Sequence, residues 1–321
     1  MIKQDRLAAI TLLFISPILT ELLCSNMPAS IFFQPHIFLS LMIVYGLPAL
    51  LIRELSIRWD LGVFGIFVMG LAYGIYNEGI CAKTLLMNNH VPVPTFDGYA
   101  VWTVNWAWGV LILVWHALHA ILYPVVLVSC LFPSVKSRQW LHGRQMAWAV
   151  SLILISGSIM FFTTPRIKVA FLYLPLFLGA IIALVFLARY IPQGPQIKFS
   201  SSKMSWKLVF AGFIFYAMYL AGLSILGKMH ATFWILLIYA LAVLVLFYQW
   251  LKKTTAFTLP ALTIFVLGDY TGVGFFPIVQ ALKRGAPEIW ATNILLLFML
   301  IISAFVIMRG SLRKRCASES L

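Results

Sequence analysis

Five ionisable side chains lie inside long apolar stretches of this chain: Glu21 in SPILTELLCSNMP, Glu78 in GLAYGIYNEGICAKT, His116 and His119 in VLILVWHALHAILYP, and Asp269 in LGDYTGVG. A charge at the middle of a bilayer costs at least about 2.5–3.5 kcal/mol, so these are the first residues to examine for chemistry. His116 and His119 are three residues apart, a spacing that puts both imidazoles on one face of an α-helix. Two imidazoles there can share a zinc ion, with Glu78 from the preceding apolar stretch as the carboxylate that completes the site. Glu21, Glu78 and Asp269 are the candidate catalytic carboxylates. Zinc lowers the pKa of its bound water toward about 7, and Glu21 or Asp269 would then help to activate that water. The two histidines suit a proton relay equally well.

The neighbours of these residues suggest how they are held. Gly70 and Gly74 precede Glu78 as a small-xxx-small pair that lets a second helix approach closely, and Tyr73 and Asn77 are i,i+4 partners beside it. Pro17 stands four residues before Glu21 and leaves a backbone carbonyl without its donor. Gly268, Gly272 and Gly274 weaken the helix around Asp269, and an interrupted helix at membrane depth must face protein or a wet cavity. The expectation is one polar cavity lined by all five residues. The structural alternative for Glu78 is a neutral carboxyl that hydrogen-bonds two helices together. Glu54, in RELSIRW, reads differently: it lies between Arg53 and Arg58, with Arg58 at i+4, and suits an anchoring ion pair.

The elements that must position these residues are membrane spans. Of 321 residues, 62% are hydrophobic and 10% charged, against about 45–50% and 25% in soluble domains. One soluble core of this size cannot hide that much apolar surface, so the bilayer is the solvent and the lipid the expected partner. The net charge of +14 sits in short clusters between apolar runs, not on a continuous basic face, which argues against nucleic acid. The predicted fold is all-α, a polytopic helical bundle in the cell membrane, because a lone span can satisfy its backbone only as a helix.

Ten spans, eight at the fewest, are predicted near 7–24, 36–55, 61–83, 101–132, 146–163, 168–190, 207–226, 231–251, 256–282 and 290–308. Seventeen of the 23 Lys and Arg then fall in one set of connections, and Lys83, Arg166, Lys168, Lys228, Lys283 and Arg284 in the other. That asymmetry places both termini in the cytoplasm. The basic, apolar N-terminus lacks a small-x-small cleavage site and reads as an uncleaved first span. The chain reads as a single transmembrane domain, 1–321, with 1–163 and 168–308 as candidate halves and an inner linker at 190–207. Trp102, Trp106 and Trp108 in the longest outer connection suit a headgroup belt or a cap over a cavity. Cys24 and Cys81 each follow a glutamate by three residues near the outer face, and a disulfide between them is an option where that side is oxidising.

At YGIYNEGICAK and WHALHAILYP the chain resembles uncharacterised prokaryotic multi-pass membrane proteins, and it is similar to the CPBP (CAAX protease and bacteriocin-processing) intramembrane metalloproteases. That resemblance implies that Glu78 matches the second glutamate of the family's paired motif and His116 the histidine of its second motif. Asn77 stands in place of the first glutamate, Ile112 in place of the expected phenylalanine, and Lys83 one position beyond the expected arginine. The leading reading is a membrane-embedded, metal-dependent hydrolase, with a protease as its specific form. A proton-coupled permease with Asp269 as the coupling site is the alternative, and a non-catalytic assembly subunit is the third.

Overall fold

Each apolar run closes its own backbone hydrogen bonds, and ten long helices result among the described residues. The computed structural model describes residues 3–191, 206–255, 257–285 and 287–319, with the side chains of the last stretch described as far as Ser303. The first helix, α1, is Gln4–Pro17 continued by the turn Ile18–Leu22. It is followed by α2 (Pro35–Arg58), α3 (Val63–Cys81) and α4 (Trp106–Leu131). Then come α5 (Gly143–Thr163), α6 (Ile167–Tyr190), α7 (Trp206–Lys228) and α8 (Phe233–Thr255). The last two are α9 (Leu259–Arg284) and α10 (Pro287–Glu319). Eight of the ten, α2 to α9, are long and apolar enough to cross a membrane. The helices α1 and α10 occupy the places of the first and tenth expected spans. Most of the inner linker, residues 192–205, and the basic side chains at 309–315 lie outside the described residues.

Three helices form the centre. In α3 and α4, 72% of the span is buried, and in α9 67%, whereas α6 buries 11%. The outer helices turn side chains such as Leu154, Leu172 and Ile238 outward, as a lipid-facing surface requires. Close approach at the centre depends on glycine. A Cβ on Gly70 would stand 2.6 Å from the Ala117 Cα, and one on Gly74 3.3 Å from the His116 Cβ. The small-xxx-small face of α3 is therefore the seat of the histidine-bearing helix, as the spacing predicts.

Two expectations are corrected. The ninth span is not interrupted: α9 runs unbroken from Leu259 to Arg284. Its glycines serve packing, since a Cβ on Gly268 would collide with the Val209 carbonyl of α7 and one on Gly274 would meet Leu297 of α10 at 2.8 Å. The fourth span begins later than expected. Residues 100–105 form a small hairpin, Ala100–Val101 paired with Val104–Asn105, and the Asn105 side chain then caps α4 by accepting from the Trp108 N–H at 2.9 Å. The tryptophans divide accordingly: Trp102 is 85% exposed and Trp108 is buried.

The connection between α3 and α4 is tied down over the bundle. The Asn105 amide donates to the carbonyls of Met87 (3.1 Å) and Phe96 (2.8 Å), and the Tyr99 hydroxyl reaches the Ala231 carbonyl at 2.8 Å. At the opposite end, Glu54 forms the anchor its sequence suggests. Arg53 pairs with it at 3.2 Å and Arg58 at 3.3 Å, while the Trp140 N–H donates to it at 2.9 Å. Arg53 also donates to the Lys136 carbonyl at 2.6 Å and lies 3.5 Å from the Trp140 ring centre.

Candidate functional site

Among the described residues, four helical segments widen from α to π geometry: Ile18–Leu22, Met42–Gly46, Ile75–Cys81 and His116–Leu122. Each carries polar residues of the centre: Glu21, Tyr45, the pair Asn77–Glu78, and the pair His116–His119. Such turns are rare and cluster at functional sites. Their local cause is legible in two cases. Pro48 has no N–H for the Val44 carbonyl, which accepts the Tyr73 hydroxyl at 2.9 Å instead. Pro124 likewise leaves the Ala120 carbonyl free, and it accepts the Ser16 hydroxyl at 3.0 Å. The displaced backbone groups are thus satisfied by hydroxyls of neighbouring helices, as the absence of water demands.

The first polar cluster joins α3 and α4. The Ile112 carbonyl lies 2.9 Å from His116 Nδ1. A carbonyl can only accept, so Nδ1 carries the proton and Nε2 of the neutral ring is left as an acceptor. Nε2 faces the Asn77 amide nitrogen at 2.8 Å and Glu78 Oε1 at 3.4 Å. The other Glu78 oxygen accepts the Thr84 hydroxyl, whose oxygen accepts in turn from the Trp108 indole N–H at 2.9 Å. The imidazole is held between two tyrosines, stacked on Tyr45 with ring centres 6.2 Å apart and edge-on to Tyr73 at 5.6 Å. All of these side chains except Trp108 and Thr84 come from π turns or the helix packed on them, so the ring and carboxyl are fixed in orientation.

Glu78 and His116 open onto a cavity of about 540 Å³, and Glu21 lines the same space from α1. The Glu21 carboxylate faces the Tyr45 hydroxyl and the Asn26 side chain. Ser25, Asn26, Pro92 and Val93 of the connections after α1 and α3 border the cavity, and Trp108 lies in its wall. Glu21, Glu78 and His116 are therefore brought together as expected.

His119 and Asp269 are not part of that cavity. His119 turns toward α9, where its Nε2 stands 3.1 Å from Asp269 Oδ2. The contact is close but poorly aligned, and among the described residues neither Nε2 nor either Asp269 oxygen has a hydrogen-bond partner. The ring is stacked on Trp115 with centres 4.0 Å apart and is edge-on to Tyr123 and Tyr270 at 5.2 and 5.7 Å. The single-face expectation assumed an α-helix. In a π turn each residue rotates less about the axis, so residue i+3 falls well short of a full turn, and His116 and His119 point into different clusters. The donor set His116, His119 and Glu78 is accordingly not assembled, and among the described residues no three His, Cys, Asp or Glu side chains converge as a metal site. These residues as placed do not fit a zinc ion.

Tyr45 and Thr84 were not anticipated in the site, because neither hydroxyl is costly enough in a span to stand out. Gly46-Leu47-Pro48, a break just after Tyr45, was the available signal. Lys83, the residue compared with an arginine of the CPBP motif, is structural. It donates to the Thr164 carbonyl at 2.9 Å and the Thr164 hydroxyl at 2.7 Å, and so caps the end of α5. Cys24 and Cys81 are free thiols, so the disulfide does not form.

Residues 10–317 match the model of a family described as "Uncharacterized membrane protein family", and the chain belongs to that family. The match lends nothing to the CPBP likeness. No curated protein and no solved structure matches the chain.

Proposed function

We propose that this member of the membrane family is a membrane-embedded hydrolase of the cell membrane, working in the outer half of the bilayer with Glu78 and His116 as its acid–base pair. The observation that carries the reading is the fixed orientation of His116. Its Nδ1–H is committed to the Ile112 carbonyl, and its Nε2 faces Glu78 at 3.4 Å on the wall of a cavity. An imidazole and a carboxyl so placed can pass a proton between them, and a positioned general base typically contributes about 10²–10⁴ in rate. Water entering the cavity would give its proton to this pair as its oxygen adds to a carbonyl carbon. The Asn77 amide, at 2.8 Å from His116 Nε2 and 3.4 Å from Glu78 Oε1, holds the two groups of the pair in register. The pair would then return the proton to the leaving group as the bond to carbon breaks, so that the net change is addition of water. No step is assigned to a metal, because the donor set does not fit one.

The unbroken α9 removes one support for alternating access, since the half-helices of such transporters are absent there. A permease reading is favoured by one observation, the buried His119–Asp269 pair with its unsatisfied atoms, which suits a proton relay. The assembly-subunit reading would leave the site tolerant of single substitutions.

The experiment is hydrolysis in oxygen-labelled water by the purified protein in lipid nanodiscs, with a total membrane extract as substrate mixture and mass spectrometry of the products. Label enters products with the wild type, and Glu78→Gln and His116→Ala each lower that incorporation by about 10²–10⁴ while both remain folded. Incorporation no greater than in protein-free discs, or variants as active as the wild type, would contradict the reading.

A further inference from the structure

The cavity that holds Glu21, Glu78 and His116 has an unbalanced lining: two carboxylates and no lysine or arginine. Glu21 is only 6% exposed, yet none of the ion pairs among the described residues includes it. The polar groups it faces are an uncharged hydroxyl and an uncharged amide. A buried carboxyl aimed into a cavity, with no cation of the protein beside it, either holds its proton or takes a positive charge from elsewhere. The walls supply the rest of the recognition. Tyr45, Trp108, Trp115, Tyr216 and Phe276 all line the space. Aromatic faces of this kind attract organic cations, most strongly where water is excluded, and weakly hydrated ammonium groups profit most. The volume of about 540 Å³ exceeds what a bare metal ion needs and falls within the usual range for small organic ligands.

We infer that the molecule received by this cavity carries an organic ammonium group, held by Glu21 against the aromatic walls. The inference rests on the hydrolase reading for its place in the reaction and names the class of substrate: a membrane-borne molecule with an amine or quaternary ammonium near the scissile bond. Phosphate and sulfate groups would find no lysine or arginine in this lining. Primary and quaternary ammonium groups share the required chemistry and come from different sources, the first from peptides and amino lipids, the second from choline-type headgroups.

The test is an equilibrium titration of the purified full chain in nanodiscs of neutral lipid, read by tryptophan fluorescence, since Trp108 and Trp115 line the cavity. The probes are hexyltrimethylammonium, hexylammonium and hexyl sulfate. At least one ammonium probe gives a saturable change, and hexyl sulfate gives none. Glu21→Gln weakens the ammonium response by about tenfold or more, the loss of roughly 1.4 kcal/mol, whereas Glu21→Asp keeps the charge and most of the response. Whichever ammonium binds more tightly assigns the source. Equal responses to ammonium and sulfate in the wild type would overturn the inference without reference to any variant, as would a Glu21→Gln response equal to that of the wild type. Because binding is read without turnover, a protein that binds ammonium but incorporates no labelled oxygen loses the hydrolase reading and keeps this one.

Discussion

Glu54 and Asp269 are both wholly buried acids on helices of the same bundle, and their surroundings are opposite. Glu54 has two arginines and a backbone N–H within reach, and its neighbour Arg53 is itself bound to a carbonyl and an aromatic face. Asp269 has one imidazole at 3.1 Å, and neither of its oxygens has a hydrogen bond among the described residues. The cavity-lining Glu21 and Glu78 fall between these extremes. A buried charge paired with two arginines fixes structure, because both lose their counter-charge when it goes. One that faces only an imidazole contributes less to the fold and is kept available for a proton or a ligand.

One isosteric change made at both acids sharpens that contrast. Glu54→Gln leaves Arg53, 1% exposed, without its counter-charge, and is expected to destabilise by about 3–5 kcal/mol. The readout is the melting temperature in detergent, together with yield from membranes. Asp269→Asn keeps the shape and removes the counter-charge of one imidazole, not of two arginines, so its cost is expected to stay within about 1 kcal/mol. Equal destabilisation by the two substitutions would break the comparison. A change in the pH dependence of function in Asp269→Asn, with stability intact, would move weight from the hydrolase to the permease reading.

The sequence carried the fold class, an all-α bundle of apolar helices, because span length and apolar composition are each set by the bilayer. It also carried the seat of α4 on α3, since Gly70 and Gly74 are informative through the side chains they lack. The grouping of Glu78 with His116 and Glu21 followed from the order of the spans. What could not be read was the winding within a helix. A three-residue spacing means one face in α geometry and two in π geometry, and Trp115-His116 and His119 carry no mark of which applies. The prolines at 48 and 124 are such a mark in retrospect, because each removes one donor from the turn before it. The glycines around Asp269 misled for the opposite reason: a residue that weakens an isolated helix also permits the tightest packing between helices.

The central claim is that the π turns bring acids and a histidine to a water-accessible cavity open toward the outer face. Cys24 lines that cavity and Cys81, buried, does not, so the native thiols supply the test. A membrane-impermeant maleimide would be applied to intact cells expressing a variant with Cys81, Cys130 and Cys316 replaced by serine, beside one in which Cys24 is replaced as well. Labelling from outside that requires Cys24, and that hexylammonium or hexyltrimethylammonium slows, is the result the account predicts. A Cys24 that stays unlabelled in cells and in permeabilised membranes, or that reacts only after permeabilisation, would contradict it.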